Sequence, residues 1–259
     1  MATVPAFRIR FITEIELLRQ CIEVQKRAWG FSDQEVLPLR TFVICGKIGG
    51  QVLAAVDDQD RVLGFVNSFP GFRDGRVYLH SQMMGILPEY QNLGLGRQLK
   101  WAQREEALGR GIDLIEWTFD PLECRNARLN IEILGVICRR YETNVYGITS
   151  SPLHGGLPTD RLVAEWHLTS GRVRTRAKVG SAPPALAAAD QTFAVEIPTD
   201  TAATKRVNPG MALKVLLGVR DQLRQHFGNG HCISGFSIDS SRQVASYKLQ
   251  PFCPSVLNP

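Results

Sequence analysis

Apolar and polar positions first alternate along Phe7-Arg8-Ile9-Arg10-Phe11-Ile12, the period-two pattern of a strand with one buried face. The period then changes: Leu17, Cys21, Val24 and Ala28 recur at helical spacing, and Thr13, three before Glu16, reads as a capping box that starts the helix. A shorter helix is predicted over residues 39–45, ended by Gly46 and Gly49-Gly50. Residues 52–56 and 62–69 read as strands of a hairpin around Asp57-Asp58-Gln59-Asp60, and residues 77–87 as a longer strand. Leu95, Leu99, Ala102 and Glu106 mark one side of the next helix, which stops at Gly109-Arg110-Gly111. Residues 112–119 form a strand closed by Asp120-Pro121. Leu129, Ile133, Ile137 and Tyr141 repeat every four residues and predict a helix over 126–141. A last strand pair is predicted at 145–149 and 161–169, joined by a Gly/Pro loop over 152–158.

Beyond Ser170 the pattern weakens. Arg172, Arg174, Arg176 and Lys178 alternate as on the wet face of a strand, although such a run could also grip an anion. The small-residue, Pro-broken stretch 181–189 reads as a linker or mobile loop. A strand is expected at 193–197. Asn208-Pro209 opens a helix with an N-cap and an N1 proline, and Ala212, Leu216, Val219, Leu223 and Phe227 form its stripe. Residues 232–238 and 244–249 make a hairpin across Ser240-Ser241, and no internal repeat is visible.

Composition narrows the class. With 44% apolar and 21% charged residues over 259 positions, the chain can bury a full core as one large domain or a domain with an extension. It has no apolar run of membrane-spanning length, and residues 1–10 lack a signal-peptide core, so a cytoplasmic protein with no membrane association is expected. The six cysteines are scattered without a C-x-x-C pair, which suggests reduced thiols and neither a metal site nor a disulfide framework. A formal charge of +5 suits an anionic ligand, while basic residues spread along the chain argue against nucleic acid.

The most informative chemistry lies in residues 84–100. A strand-like run ends at Pro88, a loop carries Gln91, Gly94 and Gly96, and a helix follows. Glycines at such a turn expose successive backbone N–H groups at the positive end of a helix dipole, a site for phosphate or pyrophosphate.

The order β-α-α-β-β-β-loop-α-β-α-β-β, with Gln91-x-x-Gly94-x-Gly96 preceded by Ile86-x-Pro88 and followed by Leu99, resembles the GNAT superfamily of acyl-CoA-dependent N-acyltransferases over residues 7–169. The resemblance implies an α/β GNAT fold: a mixed, mostly antiparallel sheet with splayed central strands, flanked by helices. The expected domains are a core at 1–171, a linker or mobile loop at 172–191 and a C-terminal α/β extension at 192–259. The segments His80-Ser81-Gln82-Met83-Met84-Gly85, Trp117-Thr118-Phe119-Asp120-Pro121-Leu122 and Leu157-Pro158-Thr159-Asp160-Arg161 are similar to a bacterial branch of predicted GNAT acyltransferases. Some members of that branch are linked to amino-acid N-succinylation from succinyl-CoA.

By this resemblance, acetyl-CoA or another acyl-CoA is the co-substrate, with no metal, and a small amine such as an amino acid accepts the acyl group. A homodimer is left open. Backbone N–H groups of Gln91, Asn92, Leu93, Gly94, Leu95, Gly96 and Arg97 would cradle the pyrophosphate, with tight strand–helix packing as the competing reading. Met84, Gly85 and Ile86 would pair with the pantetheine arm. Asn126 falls where many members touch the cofactor, and is equally a plain helix-start residue. His80, eleven before Gln91, stands where the histone-modifying branch carries its catalytic glutamate; an ordinary strand histidine is the alternative. Ser81 would face the other side of the strand.

Many members place a general-acid Tyr four residues before a Gly, but here that position is Ile131 before Gly135. Tyr141, Tyr146 and Asn130 are candidates to take its place, with core packing competing for Tyr141. Arg161 either holds a substrate carboxylate or pairs with Asp160 or Glu165. Trp117, with Trp29 and Trp166, either lines the pocket or packs the core. Cys124 has no base beside it in sequence, so direct transfer is expected rather than a covalent route. A non-catalytic acyl-CoA-binding or regulatory module is the alternative, motivated by the missing Tyr.

Overall fold

The hairpin at Asp57 shows how local chemistry builds the first half of the chain. The Asp57 carboxylate accepts from the N–H groups of Gln59 (2.9 Å) and Arg61 (2.8 Å), and Asp60 adopts a positive φ of 55°. An Asx turn of this kind reverses the chain between β2 (Gln51–Asp57) and β3 (Val62–Arg73). Every residue of β2 is buried, which explains why its sequence runs apolar instead of alternating.

The computed structural model describes residues 5–147, 155–179 and 192–258, and the chain divides into two compact units, Met1–Glu116 and Trp117–Pro259. In the first unit β1 (Phe7–Phe11) pairs antiparallel with β2, β2 with β3, and β3 with β4 (Arg76–Ile86). The fourth strand runs parallel to β5 (Leu114–Phe119), with Leu79 opposite Ile115 and His80 opposite Glu116. Helices α1 (Ile15–Trp29), α2 (Leu39–Lys47) and α3 (Leu95–Gly109) pack on this sheet. Phe42 and Phe65 meet edge to face at 5.5 Å in its apolar core. The expected capping box at Thr13 does not form. Glu14 is the N-cap and its carboxylate accepts from Arg10 Nη1 (2.6 Å) and the Thr13 N–H (2.9 Å), an ion pair outcompeting the threonine.

After β5 comes a one-turn helix α4 (Cys124–Ala127) continuing into a π-helical turn, Arg128–Ile133. In the second unit the antiparallel order is β7 (Arg161–His167), β6 (Ile137–Glu142), β9 (His231–Asp239), β10 (Val244–Pro251) and β8 (Phe193–Pro198). Helix α7 (Pro209–Gly228) begins as expected, with Asn208 Oδ1 accepting from the Met211 N–H at 3.0 Å. It packs its stripe on β6, β8 and β9.

Three expectations fail in this unit. The predicted 126–141 helix stops at Leu134, because Gly135 turns left-handed (φ 81°) and the β-branched run from Val136 continues as β6. The four-residue repeat was therefore half helical and half coincidence, and Tyr141 sits on a strand. The partner of β7 is consequently β6 rather than residues 145–149, of which 148 and 149 lie outside the described residues. Lastly, the alternating basic run is not a strand face but a helix, α5 (Gly171–Val179). Arg172 and Arg176 point inward from it, four residues apart on one helical face. The stretch 181–189, read as a linker, lies outside the described residues. A further helix, α6 (Thr201–Val207), had no apolar stripe to announce it and is started by Asp200, which accepts from the Ala203 N–H at 2.9 Å.

Candidate active site

Strand β4 enters the site with a break in register. Asn67 lies opposite Met83 and Ser68 opposite Ser81, so Gln82 is an extra, bulged residue, and Asn67 Nδ2 donates to its Oε1 at 3.0 Å. Bulges re-aim side chains and recur beside functional sites. Past the bulge, Met84, Gly85 and Ile86 pair with Val66, Phe65 and Gly64. Gly85 has a packing reason of its own: a Cβ there would lie 3.1 Å from the Trp29 ring and 3.2 Å from Phe65 and Val24.

The loop that follows is a tight turn at Pro88–Tyr90, closed by Gln91, whose Nε2 donates back to the Ile86 carbonyl at 3.0 Å. Asn92 takes φ 62° and Gly94, the N-cap of the 15-residue α3, takes φ 85°. The two glycines of the motif do different work. Gly94 has no heavy atom within 4 Å of the place a Cβ would occupy, so the approach to the helix N-terminus is open, and only its backbone conformation demands glycine. At Gly96 a Cβ would sit 3.1 Å from Ile86 Cδ1 and 3.2 Å from Met84 Cε, so this glycine lets α3 close onto β4. Helix geometry leaves the first-turn N–H groups without intrahelical partners, and the dipole adds partial positive charge there. These residues fit a pyrophosphate.

His80 is half-buried on β4. Its parallel neighbour Glu116 is buried and grips Arg73 in a fork, Nη1 to Oε2 at 2.9 Å and Nη2 to Oε1 at 2.5 Å. Residues paired across parallel strands project from the same sheet face, so His80 and this ion pair share one side. Sequence reasoning passed over Glu116, and the signal was available: it is the one charged residue in the apolar run Leu114–Phe119. Ser81 faces away, as expected. Its Oγ accepts from Lys100 Nζ (3.1 Å) on α3, which also donates to Gln103 Oε1 (2.8 Å). Burial pushes the Lys100 ammonium well below the usual lysine range.

The remaining candidates belong to the second unit. Trp117 is buried edge to face against Trp166 at 5.8 Å, and Trp166 Nε1 donates to the Leu134 carbonyl at 2.8 Å. Asn126 is exposed on α4. Ile131, where the superfamily carries its acid, is fully buried. The Tyr141 hydroxyl donates to Asp160 Oδ2 at 2.7 Å, and burial together with that carboxylate pushes its ionisation above the usual tyrosine range. Asp160 is further held by Arg220, Nε to Oδ2 at 2.7 Å and Nη2 to Oδ1 at 2.9 Å. Arg161 donates to the Asp160 carbonyl at 3.3 Å and lies 5.3 Å from the Tyr146 ring centre. It borders a small polar recess with Thr159 and the Lys205–Asp120 ion pair (2.8 Å). Asp160 and Glu165, the salt-bridge partners considered for Arg161, are bound by Arg220 and by Arg139 and Arg140 respectively.

Comparison with known families decides what the β4–α3 turn belongs to. The pattern described as the acetyltransferase (GNAT) family matches residues 18–129, which run from within α1 through α4 and include the whole loop. Residues 18–129 are thus similar to the acetyltransferase (GNAT) family. Solved GNAT structures share the fold at low identity. A GNAT-family protein from Desulfovibrio desulfuricans is 14% identical, with a TM-score of 0.52 over 63% of this chain and 100% of its own. The ribosomal-protein-S18-alanine N-acetyltransferase from Escherichia coli is 17% identical, with a TM-score of 0.51 over 63% of this chain and 94% of its own. The yncA protein from Salmonella typhimurium, solved with acetyl-CoA, is 18% identical, with a TM-score of 0.51 over 70% of this chain and 99% of its own. No curated protein matches the chain. Among the described residues no helix is long and apolar enough to cross a membrane.

Proposed function

We propose that this chain is an N-acyltransferase that moves an acyl group, acetyl or succinyl, directly from an acyl-CoA to the amine of a small molecule such as an amino acid. The observation that carries the reading is the turn from β4 to α3, where a left-handed Gly94 leaves a helix N-terminus open while Gly96 seats that helix against Met84 and Ile86. When bound, the acyl-CoA supplies an activated thioester carbonyl. The N–H groups of Gln91 to Arg97 hold its pyrophosphate, and Met84 to Ile86 align its pantetheine arm. His80 takes a proton from the acceptor's ammonium, freeing the amine lone pair for attack. Buried Glu116, paired with Arg73, keeps a fixed charge pattern on the same sheet face as that base. Arg161 is the candidate to hold a carboxylate of the acceptor or of a succinyl tail, and Trp117 an apolar wall. The transferase core keeps bounds of 1–171 on this reading, with 192–259 appended; solved relatives that span only 62–70% of the chain support an appended segment.

Acetyl- and succinyl-CoA tested against D- and L-amino acids, with products followed by mass spectrometry, identify donor and acceptor. His80→Ala is expected to lower kcat by ~10²-fold with coenzyme A affinity kept. Gly94→Val is expected to abolish that affinity in calorimetry, since a β-branched residue disfavours the left-handed N-cap. Coenzyme A binding without turnover on any acceptor would favour a non-catalytic acyl-CoA-binding module, the reading that the buried Ile131 keeps in view. Normal affinity in Gly94→Val would remove the loop assignment.

A further inference from the structure

Helix α7 ends in a turn that returns directly as β9, and the two sides of that turn each present a histidine. His226 lies in the last turn of α7 and His231 is the first residue of β9, with Gly230 at φ 76° reversing the chain between them. Their Nδ1 atoms are 3.2 Å apart. Both rings are partly exposed, and Phe193 packs against each, with ring centres at 5.0 Å from His226 and 4.8 Å from His231. The backbone beneath is fixed. The Gly230 N–H donates to the Phe227 carbonyl at 3.0 Å, the Phe252 N–H donates to the Gly230 carbonyl at 2.9 Å, and His231 pairs with Pro251 across the sheet.

We propose that His226 and His231 form a two-imidazole site for a divalent transition cation of the zinc, nickel or copper class, both rings binding through Nδ1. The geometry argues for it: two nitrogens each about 2.0–2.1 Å from a tetrahedral zinc ion are separated by about 3.3 Å. Rotation about the soft Cβ–Cγ bonds aims both lone pairs at one point. Imidazole donors select this class of ion over calcium or magnesium. Among the described residues no third His, Cys, Asp or Glu completes a cluster, so water fills the remaining positions and the site exchanges readily. Bound metal would clamp the end of α7 to the start of β9. The competing state is a plain hydrogen bond, with one ring keeping its Nδ1 proton.

The test is calorimetric titration of the full chain with nickel chloride and with zinc chloride. It uses a Cys253→Ser background, because Cys253 is the exposed thiol and a competing ligand. One saturable site is expected, weakened about ten-fold or more by His226→Ala and by His231→Ala. Nickel added to the unsubstituted chain should also broaden the imidazole NMR signals of these two histidines before those of His80 and His167, a readout that survives if either variant fails to fold. No saturable heat, affinity unchanged in both variants, or broadening that starts elsewhere would overturn the site.

Discussion

The two units differ in how they arrange the charge they bury. Between Ile12 and Leu99 the first unit is filled by one contiguous apolar cluster, with Phe42, Phe65 and Leu63 at its centre. It buries charge as well, but mostly in simple pairs: Asp57 with Arg61 and Glu116 with Arg73. In the second unit the buried carboxylates are shared among several partners. Asp160 is fully covered beneath Arg220 and Tyr141, Glu165 receives Arg139 and Arg140, and Arg172 reaches the carbonyls of Gly135 (2.8 Å) and Ser234. Arg172 is so deeply placed that burial, reinforced by Arg176, pushes its pKa down to about 9. An apolar core tolerates exchange of one aliphatic residue for another of similar volume, whereas a buried ion network fails when a single partner is removed.

Asp160→Ala tests that contrast hardest. It strands Arg220 and the Tyr141 hydroxyl, and a loss of about 3–5 kcal/mol is expected in urea unfolding, with hydrogen exchange placing the loosened amides in β6, β7 and α7. A loss below 1 kcal/mol would mean the network is a surface ornament. In the first unit Leu99→Ala, at a fully buried site, should cost about 2–5 kcal/mol by cavity formation, with loosened amides in β2, β3 and α3 and little dependence on salt.

Acid should test the second unit's network next. Burial alone would raise the Glu165 pKa, but the His167 ring 3.5 Å away, hydrogen bonds from Arg139, and the charge of Arg139 and Arg140 hold it at about 2 against an ordinary 4.5. The folded value lies below the unfolded one. Its contribution, on the order of 3 kcal/mol, is therefore complete above about pH 4.5 and lost as pH falls through about 2. Glu165→Gln should flatten that part of the stability–pH curve. The smallest effect belongs to Arg242, exposed and paired with Glu196 at 3.0 Å: Arg242→Ala should change stability by less than about 1 kcal/mol. A larger loss there would erase the distinction between buried and exposed pairs.

The same contrast governs what could be read in advance. In the first unit the strands, the hairpin and the helices followed from periodicity, because an apolar core leaves its period in the sequence. Only a cap was misread, at Thr13, where an Arg10–Glu14 pair took over. The loop from Gln91 to Gly96 was equally legible, since left-handed backbone at Gly94 and close approach at Gly96 both require glycine. The second unit misled wherever charge was buried. Arg172 and Arg176 carry no mark that distinguishes an inward arginine from a solvated one, and the apparent helix through Tyr141 ignored Gly135. Glu116 beside His80 was visible only as an odd charge in an apolar strand. The pairing of His226 with His231 depends on a helix-to-strand reversal that spacing alone does not specify.

Sequence alone determined the order of elements through β5, the glycine turn between β4 and α3 and the resemblance it carries, because apolar period and glycine backbone geometry are local properties. Tertiary structure decided which charged side chains are interior, which strand pairs with β7, and which groups stand beside His80 and around Asp160. Those outcomes depend on the balance between desolvation and a partner's charge, and the partner lies tens of residues away along the chain.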